Sequence, residues 1–111
     1  MPEEIARHLV HYSLHLIAPL GLAYVFSRAE WRKNYFLMLL TMLVDIDHLW
    51  ATPIFDPSRC SIGFHTFHTF YFFLCYLVLI IPKKTRWVGI GLSLHMCTDA
   101  LDCWWAGNLP W

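Results

Sequence analysis

Apolar residues fall into four blocks along the chain, at approximately 9–26, 35–51, 64–81 and 87–105. Short polar or proline-containing stretches at 27–34, 52–63 and 82–86 separate them. Each block is close to the roughly 20 residues needed to cross about 30 Å of hydrocarbon. In that solvent backbone groups find no water, so an uninterrupted apolar block becomes a helix. Short connections make consecutive helices antiparallel neighbours. The pattern therefore predicts an all-α fold: a single four-transmembrane-helix antiparallel bundle over residues 1–111, a polytopic membrane protein.

Composition agrees with that reading. Of the 111 residues, 58% are hydrophobic, 17% aromatic and 14% charged, against about 25% charged in soluble domains. Formal net charge is zero, which gives no basic surface for nucleic acid. The start, Met1-Pro2-Glu3-Glu4, is acidic where a signal peptide is basic, so the first block reads as a retained span.

Positive charge predicts orientation. Arg28, Arg32 and Lys33 lie in the first connection and Lys83, Lys84 and Arg86 in the third, whereas the second holds only Arg59 and the N-terminal tail only Arg7. The first and third connections are expected in the cytoplasm of a bacterial inner membrane, with both termini on the opposite side. Trp31, Tyr35 and Trp87 then form an inner aromatic belt, and Trp50, Trp104, Trp105 and Trp111 an outer one.

Against this background the ionisable residues inside the blocks stand out. Each costs about 2.5–3.5 kcal/mol at a helix centre on insertion scales. His8, His11 and His15 fall within about 60° of one another on the first helix. Pro19 removes the helical donor of the His15 carbonyl. Asp45 and His48 share a face of the second helix, whereas Asp47 points about 100° away and reaches the same centre only if the helix end is distorted. His65 and His68 stand three apart on the third block, and His95, Asp99 and Asp102 form a stripe on the fourth. Alternating helix directions bring all of these to one level, in the non-cytoplasmic half. Carboxylates gathered there would repel one another without a cation.

Imidazole and carboxylate are ligands of zinc and related divalent metals. The expected metal ligands are His11, His15, Asp45, His48, His65, His68, His95 and Asp99. Zinc leads, with manganese or iron compatible. The surplus over four ligands predicts either two ions or one ion with partners that orient its ligands. Four cysteines show no CxxC spacing, which excludes a thiolate ribbon. Cys60 and Cys103 both lie on the outer side, where a disulfide can form. Cys75 and Cys97 read as small packing residues, and Gly89, Ser93 and Cys97 as a stripe for close helix approach.

The segment Asp45-Ile46-Asp47-His48 resembles the Asp-x-Asp-His signature of the LexA-regulated membrane-bound metal-dependent hydrolases. His95-Met96-Cys97-Thr98-Asp99 is similar to that family's His-xxx-Asp motif. His11 or His15 corresponds to its first-span histidine, and His68-Thr69 to the end of its third motif. Val44 stands where the family has proline, and Arg59 and His65 depart from the third motif. The resemblance spans roughly residues 8–103 and implies a small helical membrane bundle with a metal-dependent hydrolase site.

The function expected is hydrolysis of an ester or phosphoester in a membrane lipid or lipid-linked substrate near the outer leaflet. Asp47 or Asp102 is the candidate general base, and Arg59 a phosphate holder or an interfacial cation. Two alternatives compete: a non-catalytic protein that is stapled by metal or handles it, and a haem-binding electron carrier.

Overall fold

The computed structural model describes residues 2–54, 56 and 58–110. Four α-helices appear: α1 (Pro2–Phe26), α2 (Trp31–Leu40), α3 (Phe70–Leu79) and α4 (Arg86–Ala106). No strand occurs among the described residues. The all-helical expectation holds, and α4 is the hub, packing against α1, α2 and α3.

The four blocks did not become four equal helices. Among the described residues, only the stretch Glu3–Phe26 is long and apolar enough by itself to cross a membrane. The second block splits. At Thr41, whose hydroxyl donates to the Met38 carbonyl, α2 gives way to a 3-10 helix over Thr41–Trp50. Ten α-helical and ten 3-10 residues make a rod of about 35 Å, at about 1.5 and 2.0 Å per residue. The third block is corrected more strongly. Its α-helix covers only the ten residues Phe70–Leu79, about 15 Å, half the hydrocarbon thickness. Residues 63–69 are held in turns instead: Gly63 N–H donates to the His68 carbonyl at 3.0 Å, and the Asp47 carboxylate accepts the Phe67 N–H at 2.8 Å. With those groups engaged, the helix starts only after Thr69.

Side chains close the helix ends. The Thr85 hydroxyl and the Arg86 guanidinium donate to the carbonyls of Leu79, Ile80 and Ile81 at 2.7–2.9 Å, which satisfies the end of α3 and turns the chain into α4. Helix α4 ends at Gly107 with φ +78°. The Gly107 and Asn108 amides return to the carbonyls of Trp104 and Cys103, a Schellman motif that only glycine enters without strain.

Close packing centres on Gly89 and Gly91. A Cβ on Gly89 would stand 2.7 Å from the Ile80 nitrogen, and one on Gly91 2.9 Å from the Thr41 hydroxyl. Gly89 and Ser93 are buried as expected, but Cys97 faces outward, as does Cys75. Both cysteines lie off the packed faces, because the ligand-bearing side of α4 turns inward and carries Cys97 away. Cys60 and Cys103 are joined in a disulfide with Cα atoms 5.4 Å apart. Asn108 adds a second tie, from its side-chain amide to the Ser58 carbonyl at 2.8 Å.

The distribution of side chains is inverted. Buried positions hold more polar or charged residues, including His15, Asp47, His68, His95 and Asp99, than apolar ones. Large apolar side chains such as Leu9, Ile17, Phe26, Leu43 and Tyr71 lie on the outside. Trp50 and Trp104 are also exposed, and Trp111 lies outside the described residues.

Candidate metal centre

Four elements deliver the interior polar groups. Helix α1 supplies His11 and His15, the 3-10 segment Asp45, the turn before α3 His68, and α4 His95 and Asp99. These residues come from the middle of α1, the middle of the 3-10 segment and the second half of α4, and the packing of α1 and the 3-10 segment on α4 brings them to one place.

The tightest group is Asp45, His68, His95 and Asp99. The Nε2 atoms of His68 and His95 lie 3.1 Å apart. Asp45 Oδ1 is 3.1 Å from the first and 3.0 Å from the second, and Asp99 Oδ2 is 3.2 and 3.1 Å from them. Ordinary hydrogen bonding cannot satisfy this arrangement. Each Nε2 offers one proton or one lone pair, yet each faces another nitrogen and two carboxylate oxygens. Protonating both rings would set two cations 3.1 Å apart. Four donors about 2.0 Å from one tetrahedral ion stand about 3.3 Å from one another, close to the spacing seen. These buried His and Asp groups can hold a metal ion.

Asp47 stands behind this centre. It is fully buried, and its Oδ2 accepts from His68 Nδ1 at 2.9 Å and from the Phe67 amide. A carboxylate on the far nitrogen of a metal-binding histidine fixes its tautomer and ring orientation. The 3-10 winding explains this placement. At about three residues per turn, Met42, Asp45 and His48 share one stripe that faces the cavity, and Asp47 lies on another, turned toward His68. Both its oxygens are engaged, and it is not among the residues that line the cavity.

His48 and His65 do not join the tight group. Their rings stack with centroids 3.7 Å apart, and they gather with Asp47 as a separate trio. His48 Nδ1 is occupied by the Asp45 carbonyl at 3.0 Å and by Asp47 Oδ1 at 3.1 Å. His11 and His15 also stand apart, near the other oxygen of Asp99: Oδ1 is 3.3 Å from His15 Nε2 and 3.8 Å from His11 Nε2.

A cavity of about 230 Å³ opens onto these groups. His11, Asp45, Asp99 and Asp102 line it, together with Arg7 and Arg59. Arg7 donates to Asp102 Oδ2 at 3.3 Å, while Asp102 Oδ1 has no hydrogen-bond partner among the described residues. Arg59 lies over the Phe64 ring at 4.5 Å and donates to the carbonyls of Pro53 and Ile54. At the rim Asp56 accepts from the Ser58 amide and hydroxyl, bonds that hold its carboxyl below the usual range. The role of Arg7 was open to sequence reasoning. It precedes His11 and His15 by four and eight residues, spacings that place it on their stripe.

The chain belongs to a family of unknown function (DUF6122), which it matches over residues 5–106. No curated protein and no solved structure matches it.

Proposed function

We propose that this protein is a membrane-embedded, metal-dependent hydrolase that cleaves an ester or phosphoester of a lipid or lipid-linked substrate near the outer leaflet. The observation that carries the reading is the convergence of two imidazole nitrogens and two carboxylate oxygens at 3.0–3.2 Å beneath an open polar cavity. A divalent ion held there lowers the pKa of water to about 7 and polarises a scissile oxygen; zinc suits the donor set, as do manganese and iron. Asp102, on the cavity wall with Oδ2 steadied by Arg7, is the candidate base for the attacking water. Arg7 and Arg59, both on the cavity wall, suit an anionic head group.

The membrane setting rests on the apolar sheath, which has no aqueous rationale on this scale. The 20-residue rod of α2 and its 3-10 extension and the 21-residue α4 are long enough to accompany α1 across a bilayer, with α3 entering only part-way. The alternation of positive charge supports a reading with the termini and the cavity on the non-cytoplasmic side of a bacterial inner membrane. The motif order shared with the LexA-regulated membrane hydrolases supports the same chemistry.

The alternatives fare less well. Haem needs its two axial histidines on opposite faces of a porphyrin, whereas His68 and His95 meet at 3.1 Å with carboxylates beside them. Metal transport needs polar groups continuing inward, and Leu20-Gly21-Leu22-Ala23 and Leu37-Met38-Leu39-Leu40 provide none. A metal staple without catalysis is the reading that remains to be separated. The deciding experiment incubates the purified, metal-loaded protein in lipid nanodiscs with a panel of phospholipids and lipid phosphates. Cleavage by the native protein, lost in Asp99→Asn and reduced in Asp102→Asn with metal retained, is expected. No cleavage across the panel would leave the staple.

A further inference from the structure

The far oxygen of Asp99 is not accounted for by the four-ligand centre. Oδ2 faces His68 and His95, while Oδ1 faces His15 Nε2 at 3.3 Å and His11 Nε2 at 3.8 Å. The three donors from His11, His15 and Asp99 lie within 4.8 Å of one another. His15 Nε2 is within hydrogen-bonding distance of Asp99 Oδ1 at 3.3 Å and His11 Nε2, at 3.8 Å, is not, while both distances fit atoms about 2.0–2.2 Å from a common ion. We infer that the chain binds a second divalent cation at His11, His15 and Asp99, and that Asp99 bridges it to the ion held by Asp45, His68 and His95.

Three observations carry this. The first is the division of one carboxylate between two ligand sets, the arrangement that sets paired ions roughly 3.5–4 Å apart. The second is the sequence spacing of His11 and His15, one helical turn, with ring centroids 4.5 Å apart, so α1 presents both nitrogens to the same oxygen. The third concerns the remaining polar atoms. His11 Nδ1 and Asp102 Oδ1 are both shielded from solvent and lack hydrogen-bond partners, although they lie 4.0 Å apart. A His11 ring turned onto a cation through Nε2 directs its Nδ1–H at Asp102, which satisfies both orphans in the way carboxylates orient metal-bound imidazoles.

The two positions differ in their number of donors. Four protein donors surround the first, and two of them, Asp45 and Asp99, line the cavity and leave a side for one further group. The second has three, and its open side faces the cavity, the mark of a site that keeps a place for water or substrate.

The inference rests on the metal-binding half of the proposed function and not on hydrolysis, so the two can fail separately. The test reconstitutes the full chain in detergent with Mn²⁺ and measures bound metal by elemental analysis and electron paramagnetic resonance. Two ions per chain with an exchange-coupled spectrum are expected, and His11→Ala/His15→Ala is expected to bind one ion with an uncoupled six-line signal. A single uncoupled ion in the native chain would overturn the inference, as would two ions persisting in the double variant. The native spectrum decides the matter even if that variant does not fold. Coupled ions without hydrolysis would sink the enzyme and keep the pair; hydrolysis with one ion would do the reverse.

Discussion

Asp47 shows how much one buried side chain can organise. Its carboxylate holds the Phe67 amide, the His68 ring and the His48 ring together, so it fixes both the aim of a metal ligand and the turn that carries it. Replacing it removes no proposed ligand. Loss of such an orienting partner typically costs 10–100-fold in metal affinity. Asp47→Asn is therefore expected to weaken metal binding by about that factor while leaving stoichiometry unchanged, as read by competition against a chromophoric chelator. His95→Ala, which removes a donor, should abolish binding at the four-ligand centre. Equal effects of the two substitutions would contradict the distinction drawn between them.

At the scale of elements, the contact between α3 and α4 depends on a missing methyl group. The backbone of Tyr76, Leu79 and Ile80 stands within 2.9 Å of where a Gly89 Cβ would lie. Backbone cannot rotate aside as a flexible side chain can, so Gly89→Ala must push the helices apart. A cost of about 1–3 kcal/mol is expected for such overpacking, measured as a lower thermal midpoint in detergent. Gly21, with open space around it, is the control: Gly21→Ala should hold or raise the midpoint, because alanine favours a helix interior by up to about 1 kcal/mol. The 3-10 segment is a second lesson at this scale. At 100° per residue Asp47 already lies off the face of Asp45 and His48; the tighter winding brings Asp45 and His48 into line, and what periodicity leaves open is that Asp47 turns to His68.

For the molecule as a whole, the Cys60–Cys103 bridge closes 43 residues of sequence separation and ties the connection before α3 to the end of α4. In the chain-entropy account a loop of that size contributes about 4 kcal/mol. Reduction, or Cys60→Ser/Cys103→Ser, is expected to lower the thermal midpoint and to loosen the cavity wall, since Ser61, His65 and Cys103 all line it. Thermal scans with and without reductant check this, and an unchanged midpoint in both would show the bridge to be energetically idle. The pH response is also a property of the assembled site. Imidazole and carboxylate bind metal only when deprotonated, so acidification should release the ion and alkaline return should restore it, as followed by chelator fluorescence.

The sequence by itself determined the helical class and the shared level of the His and Asp groups, because apolar block length and residue spacing are local quantities. It also placed His95 and Asp99 on one face of α4, where an uninterrupted helix makes spacing a reliable guide. The pairing of Cys60 with Cys103 was open from their places at the same end of the expected bundle. Only the tertiary structure decided which ligands meet. His65 and His68 are equal in sequence, yet the turn pinned by Asp47 sends one to a stack with His48 and the other to the group of Asp45, His95 and Asp99 that can hold a metal ion. The short α3, the partnership of Arg7 with Asp102 and the division of Asp99 between two ligand sets likewise depend on hydrogen bonds between segments far apart in the chain.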